Sequence, residues 1–123
     1  MSCRGIRGAI TVNENRQELI LAAVHELLAR IVEANELDVG DVASVIFTAT
    51  PDLDAVPPAH AAREMGWTGV PLLCMQEMAV AGALPCCIRV LIHWNTERSQ
   101  DQIRHIYLGG ARALRPDLSG DPG

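Results

Sequence analysis

The hydrophobic positions between residues 15 and 34 recur at the spacing of an α-helix. The apolar stripe consists of Ile20, Val24, Leu27, Leu28 and Ile31. Such a stripe occupies one side of a helix, and it indicates packing against a larger apolar surface. Asn15 with Glu18 three residues later resembles a capping box, which predicts a helix start at this point. We therefore expect one long helix over residues 15–34.

Shorter apolar and β-branched runs, separated by glycine, proline and polar clusters, predict strands. The five expected strands cover residues 3–12, 42–49, 70–74, 87–94 and 103–108. Short helical segments are expected at 59–65, after two prolines, and at 110–114, whereas 76–85 and 95–101 are expected to be loops. One long helix with about five strands indicates an α/β or α+β domain with a mixed sheet.

The length of the chain limits what it can enclose. The 123 residues predict a single domain over 1–118, followed by a flexible tail at 119–123. A chain of this size buries roughly 65% of the surface that its unfolded form exposes. That leaves little protein to surround a small molecule, so we expect a second copy of the chain to complete any such site.

Charge and hydropathy exclude several classes of protein. The net charge is −5 and the sequence pI is about 5.2, with no basic run. A nucleic-acid partner is therefore not expected. No apolar stretch reaches the roughly eighteen residues of a membrane span, and the first residues lack the pattern of a signal peptide. We expect a soluble cytoplasmic protein with no membrane partner.

The cysteines and histidines predict no metal site. The four cysteines form no C-x-x-C pair, and disulfides are rare in the cytosol. We expect Cys3, Cys86 and Cys87 to be small buried hydrophobes, with the adjacent pair on opposite sides of a strand. Among the histidines, His93 and His105 are expected in strands without a partner at metal spacing. His25 is expected on the helix surface.

All ten basic residues are arginine, and the chain contains no lysine. This excludes Schiff-base chemistry, covalent attachment of pyridoxal phosphate, and a Walker lysine. The motifs G-x-S-x-G, H-E-x-x-H and G-x-G-x-x-G are also absent. A guanidinium is a poor proton carrier and a good planar clamp for carboxylates. The cations of this chain are therefore expected to bind and polarise a ligand.

Four residues stand out against their surroundings, although each has an ordinary alternative. Arg89 in CIRVLI and Arg7 in GIRGAI interrupt apolar strands, and strand alternation alone would turn either one toward solvent. Tyr107, the only tyrosine, could be a core residue. Glu77 in CMQEM either faces water or pairs with an arginine, because a buried and unpaired carboxylate is costly.

Seven sequence blocks follow one another in an order that resembles a known family. They are R-G-I-R-G-A at 4–9, T-A-T-P-D-L at 48–53, R-E-M-G-W at 63–67, V-P-L-L-C-M-Q-E-M at 70–78, C-I-R-V at 87–90, Q-D-Q-I-R-H-I-Y-L at 100–108 and L-R-P-D-L-S at 114–119. Together they are similar to the monofunctional chorismate mutases of the AroH class. The resemblance covers nearly the whole chain, and the C-M-Q-E-M and Q-I-R-H-x-Y-L blocks are its most specific parts.

The resemblance implies a fold, an assembly and a reaction. The implied fold is a mixed five-stranded sheet with one long helix and short helical turns. The implied assembly is a homotrimer that resembles a pseudo-α/β barrel, with active sites between neighbouring subunits. The implied reaction is the [3,3] rearrangement of chorismate to prephenate in phenylalanine and tyrosine biosynthesis, with no cofactor and no metal.

The resemblance also implies roles for individual residues. Arg89 would face the ether oxygen of the substrate, while Arg7, assisted by Tyr107, would bind the side-chain carboxylate. Glu77 would accept a hydrogen bond from the ring hydroxyl, and either Arg63 from the neighbouring subunit or Arg115 would meet the ring carboxylate. The remaining implied substrate contacts, on the wall and rim of the pocket, are Leu73, Cys74, Met75, Gln76, Pro57, Ala59, His60 and Leu114.

Three positions depart from the family pattern. Pro57 stands where an aromatic residue is common, His60 where a lysine is common, and Leu73 where a polar residue can occur. These departures concern the rim of the pocket and put affinity in question more than the type of reaction. Two other functions remain open: a non-catalytic trimer that binds a dicarboxylate, and a deaminase of the RidA type, which lacks the two specific blocks.

Overall fold

A five-stranded mixed sheet with one long helix forms the framework of the protein. The computed structural model describes residues 1–114. Its elements, in chain order, are β1 (Ser2–Thr11), α1 (Gln17–Asn35), β2 (Val42–Ala49), α2 (Ala59–Glu64), β3 (Leu72–Gln76), β4 (Cys87–Thr96) and β5 (Ile106–Leu108), with 3₁₀ turns at Val39–Asp41, Gln100–Gln102 and Gly109–Leu114. Within residues 1–114, no helix is long and apolar enough to cross a membrane.

The sheet has the strand order β3-β2-β4-β1-β5. The central strand β4 runs antiparallel to both β1 and β2. At the two edges, β3 pairs in parallel with β2, and β5 pairs in parallel with β1. The β1–β4 ladder extends from the Ser2–Thr96 pair to the Thr11–Cys87 pair without a break. Because side chains alternate between the faces of a strand, this register decides which residues share a face.

Helix α1 covers one face of this sheet. Its apolar stripe is buried as predicted: Ile20, Val24, Leu27, Leu28 and Ile31. On the sheet, the buried partners in the same core include Ile6, Phe47, Ile88, Val90 and Ile92. Fully burying a side chain of this kind stabilises the fold by about 1.5–3 kcal/mol. The core therefore lies between α1 and one face of the sheet.

The helix approaches β1 most closely at Gly8. A Cβ atom at this position would lie 2.8 Å from Ile31 Cδ1, 3.1 Å from Val90 Cγ1 and 3.2 Å from the carbonyl oxygen of Ile106. Only a residue without a side chain allows this contact between helix and sheet. Gly8 therefore sets the distance between α1 and the strand that carries Arg7.

The start of α1 differs from the sequence prediction. The helix begins at Gln17 and its N-cap residue is Arg16, which makes no side-chain cap. The Asn15 amide instead accepts hydrogen bonds from the backbone N–H groups of Asp54 and Ala55, both at 3.0 Å. The predicted capping box is therefore wrong, because Asn15 holds the loop after β2 and is not available to the helix.

Strand boundaries at the sheet edges also differ from those predicted. Strand β3 begins at Leu72, two residues late, and includes Gln76, which was expected in a loop. Strand β4 continues to Thr96. Strand β5 begins only at Ile106, so His105 lies outside it, whereas His93 lies in β4 as expected. The short helix α2 and the turn at Gly109–Leu114 confirm the two shorter helical predictions.

The cysteine predictions hold for one residue of three. Cys87 is buried, but Cys3 is exposed near the start of β1, and Cys86 is partly exposed. Cys86 precedes β4 and has a φ of 52°. The two adjacent cysteines therefore do not lie on opposite faces of one strand. His25 is exposed on α1 as expected.

The close approach at Gly8 predicts a large effect of a small substitution. We expect Gly8→Ala to lower the free energy of unfolding by about 1–3 kcal/mol, because a methyl group would overpack the contact with Ile31. Gly5→Ala is the matched control in the same strand, since its nearest neighbour would be Leu91 Cδ1 at an ordinary 3.5 Å. Urea denaturation at equal protein concentration measures both changes. Equal urea midpoints for the two variants would contradict the close packing of α1 against β1 at Gly8.

Candidate active site

The candidate functional residues lie on the sheet face that α1 does not cover. In the register, Arg89 pairs with Ala9 on one side and with Thr48 on the other, while Arg7 pairs with Leu91. Directly paired residues point to the same face of a sheet. Arg7 and Arg89 are both exposed, so strand alternation does turn them out of the core. It turns both of them toward the same open face.

A carboxylate meets Arg89 on this face. The Glu77 Oε1 atom lies 3.3 Å from Arg89 Nε, and it accepts a hydrogen bond of 2.8 Å from the Thr48 hydroxyl. The side chain of Glu77 is 25% exposed and that of Arg89 is 45% exposed. Of the two alternatives for Glu77, facing water or pairing with an arginine, the structure shows the pair with Arg89.

Glu77 is held at the end of β3 by its backbone as well. Its N–H donates to the carbonyl oxygen of Ala49 at 2.9 Å, which continues the β2–β3 pairing by one residue. Both side-chain contacts use Oε1. Within the described part of the chain, Oε2 is therefore available to accept a hydrogen bond from a ligand.

Arg7 presents a second guanidinium. Its backbone N–H donates to His105 Nδ1 at 2.9 Å, while its side chain makes no ion pair with any residue in 1–114. Two guanidinium groups thus share the open face with one carboxylate. This balance of charge favours an anionic ligand with planar carboxylate groups.

A cavity of about 350 Å³ connects these groups. Tyr107 lies in β5 opposite Ala9 and is 8% exposed, so it is largely buried and also lines the cavity. Leu114 packs against the small cluster around Tyr107. The complete lining is Arg7, Gly8, Ile46, Thr48, Met75, Glu77, Arg89, Val90, Leu91 and Tyr107.

A second cavity of about 290 Å³ lies next to the first. Met75 lines both cavities, and Cys74, Gln76 and Pro57 line the second one. These residues belong to the wall and rim predicted from the resemblance. The two cavities together bring eight of the predicted contacts to one region of the chain: Arg7, Pro57, Cys74, Met75, Gln76, Glu77, Arg89 and Tyr107.

Other predicted contacts do not reach either cavity within one chain. Helix α2 carries Ala59, which is buried, and His60 and Arg63, which are exposed. The imidazole of His60 lies 3.6 Å from the Glu64 carboxylate. Leu73 is 56% exposed and lines neither cavity. Arg115 lies outside the described residues.

Thr48 is a site residue to which sequence reasoning gave no role. It begins the T-A-T-P-D-L block, where it looked like part of a strand end. Its place in the site becomes visible only when the strand register is known, because Thr48 pairs with Arg89 on one side and with Met75 on the other. Its hydroxyl fixes the orientation of Glu77.

The loop that joins Glu77 to β4 is anchored by Asp52. This carboxylate accepts hydrogen bonds from the Thr50 hydroxyl at 2.5 Å and from the Cys86 N–H at 3.0 Å. The bond from Thr50, supported by those from Cys86, lowers the pKa of Asp52 in spite of desolvation. Asp52 therefore fixes the point at which the chain enters the strand of Arg89.

Both cysteines at this junction are poor nucleophiles. Burial, together with the Asp52 charge, raises the pKa of Cys86. Burial also raises the pKa of Cys87, although the neighbouring Arg89 opposes the shift. Because the thiolate is the reactive form, neither thiol is activated for attack.

The comparison with protein families identifies the family and the fold of the chain. The family described as "Chorismate mutase type I" matches residues 3–118. This chain belongs to that family. The resemblance inferred from the seven sequence blocks is thereby confirmed, as is the expected mixed five-stranded sheet with one long helix.

Individual chorismate mutases are similar to the chain over nearly their full length. The chain is 52% identical to chorismate mutase AroH of Bacillus subtilis (strain 168) over 120 residues, which cover 97% of this chain and 94% of that protein. It is 53% identical to chorismate mutase AroH of Thermus thermophilus over 116 residues, or 94% and 95% of the two chains. A solved chorismate mutase from Clostridium thermocellum superposes with a TM-score of 0.88 at 49% identity, covering 89% of this chain and 98% of the other.

The anchoring role of Asp52 predicts a dependence of stability on acid pH. The pKa of Asp52 in the folded state is below its usual 3.8. Its contribution to stability is therefore fully present above pH 3.8 and is lost as the pH falls through the lower folded value. We expect Asp52→Asn to lower stability at neutral pH and to remove this part of the acid dependence.

Thermal unfolding between neutral pH and pH 2 measures the effect of Asp52→Asn. Asp41→Asn is the control, because Asp41 is exposed and its side chain makes no hydrogen bond or ion pair with residues 1–114. If both variants follow the wild-type profile, the Asp52 carboxylate does not anchor the loop.

Proposed function

We propose that this chain converts chorismate to prephenate by a [3,3] rearrangement. The observation that carries the proposal is the Arg89–Glu77 pair, at 3.3 Å, in a cavity that Arg7 and Tyr107 also line. The chain is more than half identical to two chorismate mutases over nearly their full lengths. The resemblance implies a place for these same residues at the reacting part of the substrate.

The reaction makes few chemical demands on the protein. One carbon–oxygen bond breaks and one carbon–carbon bond forms within the substrate, and all electrons move inside the same molecule. No nucleophile, proton donor or cofactor is required. The protein must hold a dianion in a compact chair-like conformation and stabilise the negative charge that develops on the ether oxygen.

Each cavity residue has a proposed role. Arg89 faces the ether oxygen, where its charge is most effective in the transition state. Arg7 binds the side-chain carboxylate with the help of Tyr107. Glu77, whose Oε2 atom is available in the described structure, accepts a hydrogen bond from the ring hydroxyl beside Cys74.

The magnitudes fit this division of roles. A rate enhancement of about 10⁶-fold corresponds to roughly 8 kcal/mol of transition-state stabilisation. One preorganised donor at a developing charge contributes about 3–4 kcal/mol. Conformational restriction by the two carboxylate contacts then supplies the remainder of about 4–5 kcal/mol, which is less than the roughly 7–11 kcal/mol that good orientation can contribute.

We further propose that the active site is shared between subunits of a homotrimer. In one chain, Arg63 is exposed on α2 and lines neither cavity. The open sheet face exposes the large apolar side chains of Leu73 and Met75 beside the site, and exposed apolar groups at a cavity favour a partner. Arg63 of a neighbouring subunit, or Arg115, would bind the ring carboxylate. We also propose that the protein is cytoplasmic.

The test of the function is the loss of chorismate absorbance on addition of purified protein, with no metal or cofactor added. We expect turnover with prephenate as the only product. A non-catalytic dicarboxylate-binding trimer would instead bind chorismate and leave its absorbance unchanged, which would refute the proposed reaction.

In this assay, Arg89→Gln isolates the role of the developing charge. We expect kcat to fall by about 10²–10³-fold with a much smaller change in KM, because the lost interaction is strongest in the transition state. Arg30→Gln is the control, since Arg30 lies on the exposed side of α1 and its only ion pair among residues 1–114 is with Glu26, at 4.0 Å. Near-normal kcat in Arg89→Gln would remove Arg89 from the mechanism.

Complementation tests the shared site. Arg89→Gln and Arg63→Ala chains are each expected to have low activity below KM, the second mainly through a raised KM. Co-expressed in one cell, they would form mixed trimers in which some sites combine an intact Arg89 with an intact Arg63 from the next subunit. Activity above the sum of the two separate variants is expected. No gain in trimers shown to be mixed would place Arg63 outside the shared site.

A further inference from the structure

The edge of β1 next to Arg7 is supported by side chains where no strand is present. Strand β4 pairs with β1 along its whole length, but β5 pairs only with Gly8, Ala9 and Ile10. The N–H groups of Gly5 and Arg7 point toward the β5 side, beyond the reach of its three residues. An unpaired strand edge of this kind frays readily and exposes polar backbone groups.

Two side chains take the place of the missing strand. Gln100 accepts a hydrogen bond from the Gly5 N–H at 3.1 Å and donates to the Gly5 carbonyl at 2.7 Å. His105 Nδ1 accepts from the Arg7 N–H at 2.9 Å. We call Gln100 and His105 the side-chain ladder, because together they continue the hydrogen bonding of the β1 edge.

The chemistry of the bond at Arg7 defines the state of His105. A backbone N–H can only donate, so Nδ1 must be the unprotonated nitrogen of the ring. An imidazolium has no acceptor and could not make this bond. His105 is therefore neutral, with its proton on Nε2, and its ring acts as a fixed acceptor for the backbone of Arg7.

The segment that carries the ladder is itself fixed to the core. Asn35, at the end of α1, is fully buried. Its amide accepts from the Arg104 N–H at 2.9 Å and donates to the Arg104 carbonyl at 3.0 Å. It also donates to the Ile31 carbonyl at 2.9 Å. The residue just before His105 is thus bound to the helix, while the residues just after it form β5.

We propose that His105 and Gln100 are positioning residues for Arg7. The Arg7 guanidinium has no ion-pair partner among residues 1–114, so its place in the cavity depends on the backbone beneath it. The ladder holds that backbone from one edge and β4 holds it from the other. Neither His105 nor Gln100 lines the cavity, so each influences Arg7 through the backbone of β1.

The decisive experiment introduces His105→Leu into the wild-type protein and into an Arg7→Ala variant. It rests on the proposed function, because it measures the rearrangement of chorismate. With Arg7 intact, we expect kcat/KM to fall on the order of tenfold, mostly through KM, because the Arg7 guanidinium that binds the side-chain carboxylate is displaced. In the Arg7→Ala background, the same substitution should change kcat/KM by less than about twofold. Equal losses in both backgrounds would show that His105 does not act through Arg7.

Two further variants separate positioning from general stability. His105→Asn keeps an acceptor close to the position of Nδ1, so it should stay within about threefold of wild type. His25→Leu, the same change on the exposed side of α1, is the matched control and should leave kcat/KM unchanged. If His105→Leu does not fold, Gln100→Leu provides the same comparison, because it removes the bonds to Gly5. Loss of activity in His105→Asn equal to that in His105→Leu would overturn the proposal.

Amide exchange of Arg7 distinguishes failure of this inference from failure of the proposed function. In ¹⁵N-labelled wild-type protein the Arg7 N–H should exchange slowly, and exchange should be at least about tenfold faster in His105→Leu. This measurement needs no substrate. Unchanged exchange would refute the ladder even if the enzyme turns over chorismate, whereas faster exchange without turnover would refute only the proposed reaction.

Discussion

The structure depends on the packing of a single long helix against only one face of a five-stranded sheet. The helix stripe and the inner side chains of the strands form the core, and the close contact at Gly8 sets their separation. Every other side chain of each central strand must then point to the uncovered face. With no second helix layer in residues 1–114, that face is where polar and ligand-binding groups can stand without disturbing the core. Arg7, Thr48 and Arg89 share it for this reason.

The Arg89–Glu77 pair contributes orientation more than stability. Both side chains are partly exposed, and ion pairs in such surroundings stabilise a fold by about 0–1 kcal/mol. What the pair and the Thr48 hydroxyl provide is a fixed direction for Glu77 and for the Nε side of the Arg89 guanidinium. In the proposed trimer, a neighbouring subunit would exclude water and lower the local dielectric constant. Every electrostatic interaction in the cavity would then be stronger, because its energy is inversely proportional to that constant.

Much of this arrangement follows from local patterns in the sequence. The helical stripe and the central strands could be predicted, because periodicity and alternation are local patterns. For Glu77 the cost of burying a lone carboxylate reduced the choice to two alternatives, facing water or pairing with an arginine. The capping of α1 could not, because Asn15 bonds to a loop 39 residues away. The length of β5 could not either, since Asn35 holds Arg104 from the helix and keeps that residue out of the sheet. Cys3 is exposed for a similar reason: it lies on the face that no helix covers. In the proposed trimer Arg63 reaches the cavity from a second chain, and patterns within one chain therefore give it no position relative to the cavity.

The absence of lysine connects these features to the chemistry. A guanidinium keeps its charge at physiological pH and offers a rigid set of donors, and the two thiols at the start of β4 have raised pKa values. In the proposed reaction the cavity therefore acts through fixed charge and fixed shape. Such a site catalyses by position alone, with no covalent or proton-transfer step. A displacement of a binding group by about 1 Å can therefore lower the rate about 10²-fold. The backbone constraints at Gly8, at Asp52 and along the β1 edge then have a common consequence, because each holds a strand that carries one of the two arginines.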